Sequence, residues 1–159
     1  MEGEVRLRDV EPDDLPIYFE NQRDPVAVEM AAFPARDRAA FDAHWAKILA
    51  HATTITKTVL MDGDVAGSLG SWLDDDGRRQ IGYWFGRSFW GKGIATAALA
   101  LFVAEVDERP LFAHVATHNA GSVRVLEKCG FTIEGGPSEP DADGVRELLL
   151  ILNPRRADT

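Results

Sequence analysis

The sequence predicts a mixed α/β fold, one central sheet with helices on both of its faces. Three observations carry this. Strand-like runs separated by tight turns fill the middle of the chain, helical periodicities precede and follow them, and no repeat or linker divides the 159 residues. That length suits one domain with one sizeable core, so residues 1–159 are expected to form a single unit.

Residues 4–10 read as a first strand, because Val5 and Leu7 alternate with charged neighbours. Glu11-Pro12-Asp13-Asp14 then signals a helix start, and Pro16, lacking an amide donor, limits how early the helix becomes regular; residues 15–22 are expected to be helical. Met30-Ala31-Ala32-Phe33-Pro34 reads as apolar but irregular. Phe41, Trp45, Ile48 and Leu49 fall at helical spacing, predicting a helix over 38–50. Residues 54–60 and 65–73 form a hairpin around Asp62-Gly63, and residues 80–85 add a third strand after Asp74-Asp75-Asp76-Gly77. A glycine-containing loop over 86–92 leads into an Ala-rich helix over 93–106. Strand 111–116, helix 119–129 and strands 131–134 and 145–152 complete the chain.

Composition excludes several function classes. The chain is 45% hydrophobic and 27% charged, which places it among ordinary globular domains rather than disordered ones. Its longest apolar stretch, over 93–106, falls short of the roughly 20 residues that span a bilayer. Met1-Glu2-Gly3-Glu4 does not resemble a signal peptide, so no membrane association is expected. One cysteine, Cys129, precludes an internal disulfide and any cysteine-based zinc cluster; no metal is expected, and a reducing cytoplasm is the expected home. A net charge of −9 argues against nucleic acid as a partner, which needs a basic face. It fits solubility and is compatible with a cationic substrate.

The most informative segment runs from Gly82 through Tyr83, Trp84 and Phe85 to Trp90-Gly91-Lys92-Gly93-Ile94-Ala95. A strand passes through a short loop with glycines directly into a helix. Successive backbone amides and the positive end of a helix make such a loop an anion site, and glycine lets phosphate oxygens approach the backbone. A Walker-type loop would need a hydroxyl residue after Gly91-Lys92, where Gly93 stands. A dinucleotide fingerprint would need a third glycine, where Thr96 stands.

The segment resembles the acetyl-CoA motif of the GNAT N-acetyltransferase superfamily, Gln/Arg-x-x-Gly-x-Gly/Ala. Gly93-Ile94-Ala95 matches its second half, and Trp90 departs from its first position. Phe89-Trp90-Gly91-Lys92-Gly93 is similar to the branch that includes ribosomal-protein N-terminal acetyltransferases. Downstream, the run from Asn119 through Ser122 and Lys128 to Gly130-Phe131 resembles the superfamily's Asn-x-x-Ser segment, whose helix flanks the pantetheine arm. The start, Leu7 to Leu15, is similar to that branch as well, so the resemblance covers nearly the whole chain.

The resemblance implies a mostly antiparallel sheet in which two parallel strands, here 81–85 and 111–116, splay apart around the coenzyme. It implies acetyl-CoA as cosubstrate, held by Tyr83, Trp84, Phe85, Trp90, Gly91, Lys92, Gly93, Ile94, Ala95, Asn119 and Ser122. Arg87, Arg124 and Lys128 are further candidates for its phosphates, against the simpler reading of surface cations. Ser122 is a catalytic candidate beside the thiol, or a helix-start residue behind the Asn119 cap. His114 is a catalytic candidate as a proton relay, or a packed core histidine; His118 is equally open. Cys129 reads as a structural thiol rather than an acyl carrier. The expected reaction is direct transfer of an acetyl group to a primary amine of a small molecule or a protein or peptide N-terminus, by a monomer or homodimer. A silent acyl-CoA-binding sensor is the alternative, and a nucleotide-binding regulator a weaker one.

Overall fold

The computed structural model describes residues 3–154; Met1 and Glu2 of the N-terminal segment lie outside the described residues. The chain runs β1 (Val5–Arg8), α1 (Asp14–Arg23), α2 (Pro25–Ala31), α3 (Arg38–Ala50), β2 (Ile55–Met61), β3 (Asp64–Leu73) and β4 (Arg79–Phe85). After a single 3₁₀ turn (Arg87–Phe89) follow α4 (Ile94–Glu105), β5 (Leu111–Ala116), α5 (Ala120–Lys128), β6 (Thr132–Gly135) and β7 (Glu147–Leu152). The seven strands form one sheet in the order β1-β2-β3-β4-β5-β7-β6. Every neighbouring pair is antiparallel except β4 and β5.

Two layers of helix cover the sheet. The odd residues of β4, Ile81 and Phe85, share a core with α4 (Ile94, Ala98, Leu99, Phe102) and α5 (Leu126). Phe102, Leu99 and Leu126 are fully buried, and each such side chain contributes about 1.5–3 kcal/mol relative to exposure. The opposite face carries α1 to α3, fixed by a polar lock. Asp14 is 2% exposed and takes Arg8 Nη1 and Nη2 at 2.7 and 2.8 Å, the Glu11 amide at 2.8 Å and the Thr58 hydroxyl at 2.6 Å. Burial pushes its carboxyl up, but Arg8, the Glu11 amide and Thr58 together hold it below the ordinary carboxylate value. Tyr18 also bonds Thr58, so the start of α1 is tied to β1 and β2.

Two expectations are corrected. The segment around Met30 is not irregular up to that point: α2 spans Pro25–Ala31, capped by Asp24, whose side chain accepts from Val26 N, with Pro25 in the first turn. It ends where Ala32 turns left-handed at φ 53°. Pro16 does not delay α1, which already begins at Asp14, because a first-turn residue has no intrahelical use for its N–H.

Candidate active site

The parallel pairing of β4 with β5 extends over only Arg79–Leu111 and Gln80–Phe112, although both strands run on. They splay, as expected. Gly86 N donates to Ala66 O on β3 at 2.9 Å, so the alternation of strand hydrogen bonds turns Gly82 and Trp84 toward β3 as well. Tyr83 and Phe85 therefore point their amides away from β3, into the gap. Around the gap lies a cleft of about 480 Å³, lined by Tyr83, Trp84 and Phe85 of β4, the loop before α4, the first turn of α4, the start of α5, and Ala27, Met30 and Ala31 of α2.

One wall is the loop into α4. Gly91 and Gly93 both have positive φ, 74° and 78°. Gly93 is the N-cap of α4 and, having no side chain, leaves the helix's first amides without a cap. A Cβ built on Gly91 meets no protein atom within 4 Å, so that glycine is required by its φ and not by crowding. Gly91, Gly93, Ile94 and Ala95 line the cleft. So does Trp90, whose Nε1 donates to Phe85 O at 3.1 Å and folds the loop back onto the end of β4. Uncapped amides beside two left-handed glycines suit a pyrophosphate.

The cations divide. Arg124 and Lys128 line the cleft, whereas Lys92 is exposed and outside the lining. Arg87 Nε lies 3.0 Å from Asp24 Oδ2, joining the loop to the α1–α2 junction.

The facing wall is α5. Asn119 Oδ1 accepts from the backbone amide of Ser122 at 3.2 Å, so the cap uses Ser122's main chain and leaves its hydroxyl free for other work. That hydroxyl lies 2.6 Å from Tyr83 Oη, and Tyr83 Oη is also 3.3 Å from Ser122 O. Burial, against the bond to Ser122, pushes the Tyr83 phenol up to about 12, so it keeps its proton at neutral pH. Trp84, on the other face of β4, donates Nε1 to Asn21 O at 3.0 Å and meets Phe33 edge-on. Cys129 is half-buried, donates to Thr96 O at 3.5 Å, and burial raises its thiol. A thiol held protonated is a poor nucleophile.

His114 departs from its core reading. His114 is exposed on β5, not packed in the core, because β5 alternates and His114 points to the face away from α4. It lies outside the cleft's lining, and its Nδ1 is 3.0 Å from Gln80 Oε1. His118 Nε2 donates to Glu29 O at 2.9 Å, linking the β5–α5 loop to α2. The sequence reading took the residues around Met30 as irregular and so missed that a helix carries this wall of the cleft, although Asp24-Pro25 is a helix-start signal. It also passed over Gln80, which carries no motif; only the pairing of β4 with β5, which puts its side chain beside His114, marks it.

A model of the acetyltransferase (GNAT) domain family matches residues 4–132. The chain belongs to that family. This GNAT domain is 42% identical over 82 residues to the probable N-acetyltransferase YjcK of Bacillus subtilis, a match covering 46% of this chain and 45% of that protein, so it spans about half the relative's length. Its fold is similar to a spermidine N-acetyltransferase from Vibrio cholerae in complex with CoA and spermine (TM-score 0.78, 16% identity, 92% of each chain). It is equally similar to RimL, a ribosomal L7/L12 alpha-N-protein acetyltransferase in complex with coenzyme A (TM-score 0.78, 19% identity, 94% of this chain and 93% of that one). Among the described residues, no helix of the GNAT domain is long and apolar enough to cross a membrane, and no group of three or more His, Cys, Asp or Glu could hold a metal ion.

Proposed function

We propose that this single-domain protein is an acetyl-CoA-dependent N-acetyltransferase acting in the cytoplasm, which passes the acetyl group directly to a primary amine. The observation that carries this is the meeting, in one cleft, of a splayed strand pair and the uncapped start of α4. The backbone around Gly91, Gly93, Ile94 and Ala95 would hold the pyrophosphate, with Arg124 and Lys128 supplying charge, and Asn119 would meet the pantetheine arm. Bound acetyl-CoA supplies an activated thioester carbonyl. Tyr83's amide, turned into the gap, polarises a carbonyl oxygen placed there, as preorganised donors do. Ser122 offers its hydroxyl to the leaving sulfur, with the protonated Tyr83 phenol 2.6 Å behind it to replenish the proton.

The raised, half-buried Cys129 thiol argues against an acyl-cysteine route. The acceptor is an amine of a small molecule or of a protein or peptide N-terminus; the two similar structures named above were solved for enzymes with different acceptors, so the fold alone does not choose. Thermal melts with CoA at about 100 times its Kd are expected to add about 2.7 kcal/mol of apparent stability. The thiol released from acetyl-CoA is expected to follow added amine. Melts that respond to ATP and ignore CoA overturn the reading, and CoA binding with no amine-dependent release leaves a silent sensor instead.

A further inference from the structure

Asp74, Gln80 and His114 form a hydrogen-bonded chain on the sheet face that carries α1 to α3. Gln80 is 5% exposed; its Nε2 donates to Asp74 Oδ2 at 2.9 Å, and its Oε1 lies 3.0 Å from His114 Nδ1. Asp74 Oδ1 accepts the backbone amides of Asp76 and Arg78, each at 2.9 Å. The Arg78 amide foremost, with Gln80's side-chain amide, holds the Asp74 carboxyl below the usual carboxylate range, so Asp74 only accepts. Gln80 must then present its amide nitrogen to Asp74 and its oxygen to His114. An amide oxygen cannot donate. The proton between Gln80 and His114 therefore sits on His114 Nδ1, and Nε2 is left with a free lone pair.

Position gives that lone pair a use. The last parallel pair is Gln80–Phe112, so His114 stands level with Gly82, one residue before Tyr83, where the strands begin to part. At ordinary sheet spacings the Cα atoms of His114 and Tyr83 are about 6 Å apart before splaying, within reach of a side chain or one bridging water. Ala113 and Val115 are buried while His114 is exposed. The charged side chains on the elements around it are Asp74 and Arg78 from the β3–β4 side, with Arg78 over the Phe112 ring, Arg79 on β4, which is bound to Glu108 and Thr53 O, Glu29 on α2 and Glu147 on β7; β5 itself carries none.

We propose that His114 is the base that takes the proton from the acceptor amine, with Gln80 and Asp74 as positioning residues that fix its tautomer. This rests on the N-acetyltransferase reading. A lysine-like amine is protonated at neutral pH, with a pKa of about 10, and must be stripped to attack. As the nitrogen lone pair forms the new N–C bond, the C–S bond breaks and its electron pair stays on sulfur. His114 Nε2 takes the ammonium proton before attack, directly or through one water, and passes it to solvent; the nitrogen's second proton, shed as the amide forms, follows the same route. The sulfur is protonated from Ser122, which is replenished by Tyr83 and solvent, and the imidazolium returns its proton to water.

The test pairs kinetics with spectroscopy on the full chain, using acetyl-CoA with spermine, an aminoglycoside and a short peptide with a free N-terminus. His114→Ala is expected to lower kcat by about 10²-fold or more, at unchanged CoA affinity and melting temperature, and added imidazole to restore part of it. Asp74→Asn removes the acceptor that fixes the orientation of the Gln80 amide, so kcat is expected to fall while CoA affinity holds. Nitrogen-15 NMR of the ring is expected to show the Nδ1–H tautomer in the parent and a mixture in Gln80→Leu. A folded His114→Ala variant with the parent's kcat overturns the base, and a parent Nε2–H tautomer overturns the chain. If the parent turns over no amine while the Nδ1–H tautomer is present, the enzymatic reading fails and the base role fails with it.

Discussion

Two helix starts face each other across the cleft, and they are built in opposite ways. α5 is capped by a side chain: Asn119 Oδ1 satisfies the Ser122 amide, so that end of the helix is complete in the protein alone. α4 begins on Gly93, a left-handed residue with no side chain, and its first amides have no cap. A helix start normally gains about 1 kcal/mol from a Ser, Thr, Asp or Asn cap. Leaving that out at a cleft wall keeps donors and the positive helix end available to an anion. The complete helix instead presents a hydroxyl. On the proposed reading, one start binds and the other acts.

The comparison breaks most severely at Gly93. Gly93→Val forces a β-branched residue to φ 78° and puts its side chain at the uncapped amides. Losing two charge-assisted amide contacts, at about 1.5 kcal/mol each, weakens CoA binding by about 100-fold, checked by calorimetric titration of the folded variant. Unchanged affinity would place the cradle elsewhere.

The next effect is kinetic. Ser122→Ala keeps the backbone amide that Asn119 caps, so the helix start survives while the hydroxyl is lost. A kcat decrease of about 10–100-fold with near-parental CoA affinity is expected, measured with saturating amine. Burial pushes the Tyr83 phenol up to about 12 in the parent, and losing the Ser122 hydroxyl removes a bond that lowers it, so the variant's rate should show no new limb from that group below pH 10. A parental kcat with a lowered melting temperature would reduce Ser122 to a structural residue. The smallest effect is thermodynamic. Asn119→Ala removes the α5 cap and is expected to cost about 1 kcal/mol of unfolding free energy in denaturant melts, with CoA affinity changed less than tenfold. A loss of CoA binding as large as that of Gly93→Val would erase the distinction between the two starts.

Much of this was legible in the residues. The glycines of Trp90-Gly91-Lys92-Gly93 announced a strand-to-helix loop, the β-branched runs announced the meander, and Asn119 with Ser122 three residues on announced a capped start. Local chemistry writes such features, and local chemistry can be read. α2 escaped because its apolar residues were read without the Asp24-Pro25 start before them, so one wall of the cleft was taken for a loop. Gln80, and the face that His114 takes, escaped for a different reason. A histidine on a short apolar strand gives no sign of which face it takes, and residues 34 positions apart meet only through the pairing of β4 with β5. Pairing partners are a property of the assembled sheet. Trp90 replaces the motif's usual residue, and the fold supplies the reason it is tolerated: its indole nitrogen has its own acceptor in Phe85 O.

The short register between β4 and β5 also has a consequence for how the backbone protects itself. A central strand of a seven-stranded sheet is ordinarily the slowest place in a protein to trade its amide protons for deuterium. Here the middle of the sheet is held by two residue pairs, and beyond them Tyr83 and Phe85 aim their N–H groups at a cleft instead of at a neighbouring strand. In exchange terms, the centre of this sheet is expected to behave like an edge. Its slow core is divided into two blocks, β1 to β4 and β5 with β7 and β6, bridged by the packed apolar face of α4. Any ligand that fills the gap with its own acceptors closes the seam between β4 and β5.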